Sequence, residues 1–250
     1  MKFDYGNFMK DLNKSIIVNS NPELGIFFNS AMSDAIKDLQ NKIIENDKYC
    51  EELHKKLLSK EYEETGIPNE IDQTILEDQA ECSMHSGWLT ESLTSINEMR
   101  IINLYKSFEI EIKQILEQAY PNVNKKDFYR WDILVNYLKS INIIIKDIKG
   151  YNETNQLRII NNQIKHRGSF TNEVKFIPEF YNSDRFTFEN INLFYSRIYQ
   201  QVNNFLSKLS SEIYRERYEF DEERITKITL EYKERMDKET INKLIEKLAQ

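Results

Sequence analysis

Apolar residues recur at helical spacing over most of this chain, most clearly in two segments. One segment runs from Phe188 to Ile213. The other contains the series Met99, Ile102, Tyr105, Phe108, Ile112, Ile115 and Leu116. Steps of three and four residues bring such side chains onto one face of an α-helix, and we expect each face to pack against a core. Because 250 residues include only six glycines and four prolines, turns are few, and the sequence predicts an all-α fold of long helices.

The strength of this pattern divides the chain into three segments. Residues 1–95 combine long helical stretches with charge on most sides, which predicts an N-terminal helical extension or arm. Residues 96–220 predict an antiparallel helical bundle, in which the apolar segment from Trp131 to Ile148 forms a central helix. Within it, Ser169 to Arg185 is a long irregular stretch that predicts a hairpin or a packed loop. Residues 221–250 predict a charged helical tail.

Charge and cysteine content limit the possible classes of function. The formal net charge is −7 and the pI about 5.3, whereas sequence-independent nucleic-acid binders are usually basic, so any RNA contact should be local. Cys50 and Cys82, the only cysteines, fit neither a zinc spacing nor a CxxC motif. The N-terminus does not resemble a signal peptide, and the apolar run from Ile141 to Ile148 is too short to span a bilayer. These features predict a soluble, cytoplasmic protein with reduced cysteines and no membrane span.

One segment brings together side chains that are suited to chemistry. Arg158, Asn162 and His166 follow one another at four-residue steps, and Lys165 falls in the same polar sector of the predicted helix. The opposite side of that helix is apolar and contains Leu157, Ile160 and Ile164. Histidine titrates near neutral pH and arginine is a permanent cation, so this face is the candidate functional site of the chain.

The order of elements around this segment resembles the HEPN superfamily, a group of helical bundles that includes many prokaryotic RNases of toxin–antitoxin and phage-defence systems. The resemblance extends from about Met99 to about Tyr218. It comprises an aromatic-rich helix that contains Leu104-Tyr105-Lys106-Ser107-Phe108-Glu109, a buried helix, a helix that ends in Asn-x-x-Lys-His-x-Gly, and a long last helix.

The family motif is an arginine, often followed by a polar residue, then four to six residues and a histidine. Asn162 and His166 have the spacing of the motif's polar residue and its histidine. Asn161 stands directly before Asn162, where the motif has arginine, and Arg158 lies one helical turn earlier on the same face. That shift leaves two interpretations open. Either Arg158 reaches the phosphate that the motif arginine would contact, and the site is active, or the chain is an inactive member of the family.

The resemblance implies metal-independent RNA cleavage without a cofactor, at a cleft that two motif helices form across a homodimer. His166 would transfer protons, Arg158 would stabilise charge on the phosphate, and Asn162 would orient His166 or hold the phosphate. Glu109 would support the site from the neighbouring helix. Further contacts with RNA are expected from the polar residues around the motif, Asn161, Lys165 and Arg167.

Other classes of function fit the same residues. An inactive HEPN-like module would bind a protein or nucleotide partner, and a helical scaffold would assemble through its long N-terminal arms. An antitoxin or a defence-system protein is a further expected partner of either nuclease or module. His85 lies near Cys82 and Glu81, but the spacing supplies no further ligands, so no metal site is predicted there.

Overall fold

The computed structural model describes residues 5–19, 24–58, 70–120, 122–166 and 168–249. Regular structure in these ranges is entirely helical, which confirms the predicted all-α helical bundle. The α-helices of the described ranges are α1 (Tyr5–Asn19), α2 (Ile26–Leu58), α3 (Glu70–Ala119), α4 (Trp131–Ser140), α5 (Tyr151–His166), α6 (Asn172–Lys175), α7 (Phe188–Tyr218), α8 (Glu222–Arg235) and α9 (Lys238–Leu248). Helix α6 is a single turn. Short 3-10 turns lie at Lys125–Asp127, Ile145–Asp147 and Pro178–Phe180.

The core lies where α3, α5 and α7 pack together. Thr187 and Asn190 form a capping box that fixes the start of α7, and the predicted apolar face is buried from Ile191 to Ile213. Phe108 of α3 packs against Phe205 of α7 with ring centroids 5.9 Å apart. The same Phe205 ring lies 6.4 Å from Tyr151 at the start of α5. These rings pack with the many isoleucine and leucine side chains of the core, and burial of this apolar area stabilises the bundle.

The three core helices differ in direction. The guanidinium carbon of Arg100 lies 3.9 Å from the centroid of the Tyr195 ring. Both residues lie near the start of the segments over which α3 and α7 pack together. Phe108 contacts Phe205 further along both helices. Helices α3 and α7 therefore run side by side in the same direction. Helix α5 runs against them, because its first residue meets Phe205 whereas Gln156 meets Arg197, nearer the start of α7. The C-terminal end of α5 consequently points toward the N-terminal end of α7.

Helices α2 and α3 form a long antiparallel hairpin. Cys50 is joined to Cys82 by a disulfide with the two Cα atoms 5.9 Å apart, and further out His54 Nδ1 lies 3.3 Å from Gln79 Nε2. The prediction of reduced cysteines is therefore wrong. The pairing depends on the register between two helices, which brings together positions separated by 32 residues, whereas spacing rules only detect cysteines that are close in sequence.

The hairpin is continuous with the bundle. Helix α3 has 50 residues, a length of about 75 Å, and it passes through the boundary predicted at residue 95 without a break. Ile17 and Leu24, from the N-terminal segment, belong to the bundle core. The backbone N–H of Leu24 donates to Oδ1 of Asn203 at 3.0 Å, and Ser210 Oγ donates to the carbonyl of Ile17. The N-terminal segment is thus anchored on α7.

Two other predicted segments turn out differently. The expected central helix from Trp131 to Ile148 ends at Ser140, because Asn142 adopts a left-handed conformation with φ of 62°, which asparagine tolerates better than most residues. The irregular segment after α5 is a packed loop, the second of the two predicted forms. Its Phe170 and Phe180 rings pack at 5.9 Å with a T-shaped geometry and anchor the loop in the core.

The C-terminal tail consists of α8 and α9, which begin at the N-cap residues Asp221 and Asp237. Neither helix contains a buried residue. Across the described ranges, no helix is both long enough and apolar enough to pass through a bilayer.

Candidate functional site

Helix α5 is fixed at its start by a close approach to α7. Gly150 has φ of +99°, and a Cβ atom at this position would lie 2.7 Å from the carbonyl oxygen of Gln201. Only glycine fits both the conformation and the space. Thr154 Oγ1 then donates to the Gly150 carbonyl at 2.9 Å, inside the core. The start of α5 is therefore held firmly against α7, and this sets the direction in which its C-terminal end projects.

The amphipathic pattern predicted for α5 is confirmed. Leu157 and Ile160 are completely buried and Ile164 nearly so. On the opposite side, Asn162 and His166 are exposed and Arg158 is half-buried. The three polar side chains line one shallow groove of about 170 Å³ at the C-terminal end of α5. The rest of the lining consists of Ile159, Gln163, Thr171 and Glu173.

The guanidinium of Arg158 is oriented by its own helix. Nε and Nη2 donate to Oδ1 of Asn155 at 3.1 and 3.0 Å. Tyr105 of α3 lies close enough for electrostatic interaction with this cation. Burial and the charge of Glu109 raise the pKa of Tyr105 to about 12, against a smaller opposing effect of Arg158. Tyr105 is therefore a protonated phenol near neutral pH, and Arg158 is the charged group.

Asn161 lies in the core, which differs from the predicted contact with RNA. Four residues after Leu157, it falls on the apolar side of α5 and is completely buried. Its Nδ2 donates to Oδ1 of Asn162 at 3.3 Å. Its own Oδ1 has no hydrogen-bond partner among the described residues. Asn161 can therefore influence the groove only by holding the side chain of Asn162.

The remaining predicted residues lie away from the groove or outside the described ranges. Lys165 is exposed but does not line the groove. Glu109 forms an ion pair of 2.6 Å with Lys113, and both line a different small cavity beside α4. The Glu109 side chain extends along α3 to Lys113 and makes no direct contact with Arg158 or His166. Such a contact therefore does not account for its predicted supporting role. Arg167 lies outside the described residues.

Sequence reasoning missed the loop residues that complete the groove. Gln163 Nε2 donates to the carbonyls of Gly168 and Ser169 at 3.1 and 3.4 Å, and its Oε1 accepts from the backbone N–H of Thr171 at 3.4 Å. The loop thus folds back onto α5 and brings Glu173 to the groove that contains His166. Thr171 is also the N-cap of α6. A threonine followed by an acidic residue in the first helical turn is the sequence signal that indicates this helix start.

An ion pair connects this loop to α5 and α7. Arg197 donates from Nε and Nη2 to the two carboxylate oxygens of Glu179 at 2.6 and 2.9 Å, and Nη2 also donates to Gln156 Oε1 at 2.9 Å. Burial opposes ionisation of Glu179, but the hydrogen bonds from Arg197 and the backbone, with the charge of Arg197, outweigh it and lower the pKa of the carboxyl group. This bidentate pair holds the loop that carries Glu173.

The part of the chain that the structure describes contains no group of three His, Cys, Asp or Glu side chains arranged to hold a metal ion. Compared with models of known protein families, with curated protein sequences and with solved structures, the chain shows no match.

Proposed function

We propose that this protein is a metal-independent endoribonuclease that cleaves single-stranded RNA in the groove at the end of α5. The observation that carries the proposal is the convergence of Arg158, Asn162 and His166 on one accessible groove. Phosphodiester cleavage by an internal hydroxyl requires proton transfer and stabilisation of charge on the phosphate, which His166 and Arg158 can supply, and Asn162 can orient His166 or hold the phosphate. The HEPN resemblance, including its prokaryotic defence or toxin setting, forms part of this proposal.

The reaction that these groups support moves two protons. A general base removes the proton from the ribose 2′-hydroxyl, the oxygen attacks the adjacent phosphorus, and the bond to the 5′-oxygen breaks. A general acid protonates that leaving oxygen, so the products are a 2′,3′-cyclic phosphate and a free 5′-hydroxyl. His166 performs one of these transfers. Glu173 lines the same groove as His166.

The second proton-transfer group comes from a second copy of the chain. Asn162, Lys165 and His166 are exposed at the end of α5, which leaves this side of the helix accessible to another α5. A homodimer that pairs the two helix ends would place two imidazoles and two arginines around one phosphate. Arg158 would then stabilise charge on the non-bridging oxygens through its planar fork.

The proposal is tested by cleavage of a single-stranded RNA oligonucleotide in excess EDTA. His166→Ala is expected to abolish cleavage. Arg158→Ala should lower the rate by about a hundredfold or more, since one charge-stabilising donor is removed, and Arg158→Lys should restore only part of it. His85→Ala is the matched control, because His85 is an exposed histidine on the hairpin. Cleavage that needs added magnesium, or that survives His166→Ala, contradicts the proposal.

A second candidate is a HEPN-like module that binds a partner and does not cleave RNA. Two observations favour it. Asn161 stands where the family motif has arginine, and the Nε and Nη2 atoms of Arg158 are already bonded to Asn155. Absence of cleavage by the dimer, together with specific co-purification of an antitoxin or defence-system protein, would support this candidate over the nuclease.

An RNA substrate would be met in the cytoplasm, which is the location we propose. The Cys50–Cys82 disulfide is the observation that weighs against it, since such bonds are found mainly in oxidising compartments. Subcellular fractionation with immunodetection of the protein tests the proposed location. Recovery in the cytoplasmic fraction would support it, and recovery in an oxidising compartment would contradict it.

A further inference from the structure

A second groove lies on the hairpin between α2 and α3. Its volume is about 390 Å³, and it is lined by Asn46 and Tyr49 of α2 and by Asp78, Glu81, Cys82, His85 and Trp88 of α3. None of these residues takes part in the groove at the end of α5. The inference drawn from it does not depend on the endoribonuclease proposal.

Two large aromatic side chains stand exposed at this groove. Trp88 is 63% exposed and Tyr49 is 48% exposed, one from each helix of the hairpin. Both rings present much of their apolar area to solvent in the free protein, although tryptophan is usually well buried. Tryptophan and tyrosine are also the side chains that contribute most strongly to protein–protein binding when a partner covers them. The exposed rings therefore indicate a binding surface.

The floor of the groove is fixed by bonds between the two helices. The Cys50–Cys82 disulfide crosses beneath it. Beside it, Asn46 Nδ2 donates to the Cys82 carbonyl at 3.0 Å and to Ser86 Oγ at 2.7 Å. Oδ1 of the same Asn46 lies 3.1 Å from Nδ1 of His85. Because these bonds already hold the helices in register, a ligand would enter a preformed groove and would not have to order it.

The charge of the surrounding helix is one-sided. From Glu70 to Glu98 the sequence contains no lysine or arginine. The same stretch contains seven acidic residues, which are Glu70, Asp72, Glu77, Asp78, Glu81, Glu91 and Glu98. Two of these, Asp78 and Glu81, line the groove next to the aromatic rings. Asp78 and Glu81 lie about 15 and 10 Å before Trp88 along α3, so a segment with several cations could meet the carboxylates and the indole ring at separate points.

We infer that this groove binds a basic segment of a partner protein, with one arginine side chain stacked on Trp88 and another paired with Asp78 or Glu81. Arginine fits better than lysine because its planar guanidinium stacks on aromatic rings and forms bidentate pairs with carboxylates. RNA does not fit this surface, since its phosphates would be repelled by the carboxylates. The protein therefore presents an anion-binding groove at one end and a cation-binding groove on its hairpin.

The inference is tested with the full chain and a short peptide in which arginine alternates with glycine. Binding is measured by calorimetry, with a peptide carrying citrulline in place of arginine as the uncharged control. We expect the arginine peptide to bind and the citrulline peptide not to bind. Trp88→Ala should weaken binding about tenfold through loss of stacking. The double variant Asp78→Asn with Glu81→Gln should weaken it at least as much.

Glu91→Gln is the matched control variant, because Glu91 is an exposed acid on the same acidic half of α3 but lies outside the groove. It should retain wild-type affinity. Circular dichroism with unchanged helical content shows that each variant is folded. If Glu91→Gln weakened peptide binding as much as the groove variants do, binding would depend on the overall negative charge of α3 and not on the groove. That result would overturn the inference. Failure of the arginine peptide to bind the wild-type chain would also overturn it.

Discussion

The two halves of α3 lie in different surroundings although they form one continuous helix. In the second half, seven residues are buried in the bundle: Ile101, Leu104, Phe108, Ile112, Ile115, Leu116 and Ala119. Before Ile101, the buried residues of α3 that the structure describes are four: Cys82, Leu89, Leu93 and Asn97. The second half therefore packs within the bundle core, whereas the first half packs chiefly along α2, to which Cys82 is joined.

This difference shows two ways of holding a site in place. The groove at the end of α5 depends on a broad apolar core, to which it is tied through Gly150 and the Glu179–Arg197 ion pair. The hairpin groove depends on a narrow apolar seam that is reinforced by the Cys50–Cys82 disulfide. Substitutions in the core should therefore affect the whole protein, and changes in the hairpin should remain local.

The largest effect is expected from Phe205→Ala. This ring is completely buried between Phe108 and Tyr151, so its removal leaves a cavity at the centre of the bundle and should cost about 3–5 kcal/mol of unfolding free energy. Leu89→Ala, in the hairpin seam, is the comparison, and it should cost about 2 kcal/mol, near the lower end for such truncations. Urea unfolding followed by circular dichroism measures both. Equal costs would contradict the distinction between the two halves.

Reduction of the disulfide should have the next largest effect. Opening a cross-link across 32 residues should cost the hairpin about 3 kcal/mol, because the unfolded hairpin regains the freedom that the bond had removed. Hydrogen exchange should then accelerate in α2 and in the first half of α3, while α5 and α7 keep their protection. The double variant Cys50→Ala with Cys82→Ala should behave like the reduced protein. Uniform acceleration along the chain would mean that hairpin and bundle unfold as one unit.

The Glu179–Arg197 pair should give the bundle an acid sensitivity of smaller size. Since the folded state lowers the pKa of Glu179 below its ordinary value of 4.5, the stabilisation is complete above that value and is lost as the pH falls through the lowered pKa. Glu179→Gln should remove about 1–3 kcal/mol at neutral pH and flatten the pH dependence below 4.5. Thermal unfolding between neutral and acidic pH tests this. An unchanged acid profile in the variant would contradict the role of the pair.

How far these regions could be predicted depends on how local their determinants are. The apolar series of α7 and the polar face of α5 follow from spacing within one helix, so the sequence revealed both. The end of α4 depends on a single residue, Asn142, whose left-handed conformation is only a weak preference. It could not be predicted from an apolar run that continues to Ile148.

Determinants that join distant segments were missed for a different reason. The Cys50–Cys82 bond requires the register of the α2–α3 hairpin, and the position of Glu173 requires the loop bonds made by Gln163. Buried Asn161 was assigned to the substrate because neighbouring positions are polar, although it lies on the apolar side of α5. The missing information was tertiary for the disulfide and for Glu173, whereas the burial of Asn161 follows from its position four residues after Leu157 on the same helix.

The smallest stability effect is expected from Trp88→Ala. Because this side chain is 63% exposed, its removal should change the unfolding free energy by less than about 0.5 kcal/mol. The same variant should weaken binding of the arginine peptide, so stability and binding would separate at this position. A large loss of stability in urea unfolding would mean that Trp88 supports the hairpin itself and would contradict its assignment to a binding surface.

The most direct measurement of the proposed function is the chemistry of the RNA ends. A single-stranded RNA oligonucleotide is incubated with the wild-type protein in excess EDTA, and the products are analysed by mass spectrometry. We predict fragments that end in 2′,3′-cyclic phosphate, and none when His166→Ala replaces the wild type. Fragments with 3′-hydroxyl and 5′-phosphate ends, formed only after magnesium is added, would contradict the assignment of Arg158 and His166 as the catalytic pair.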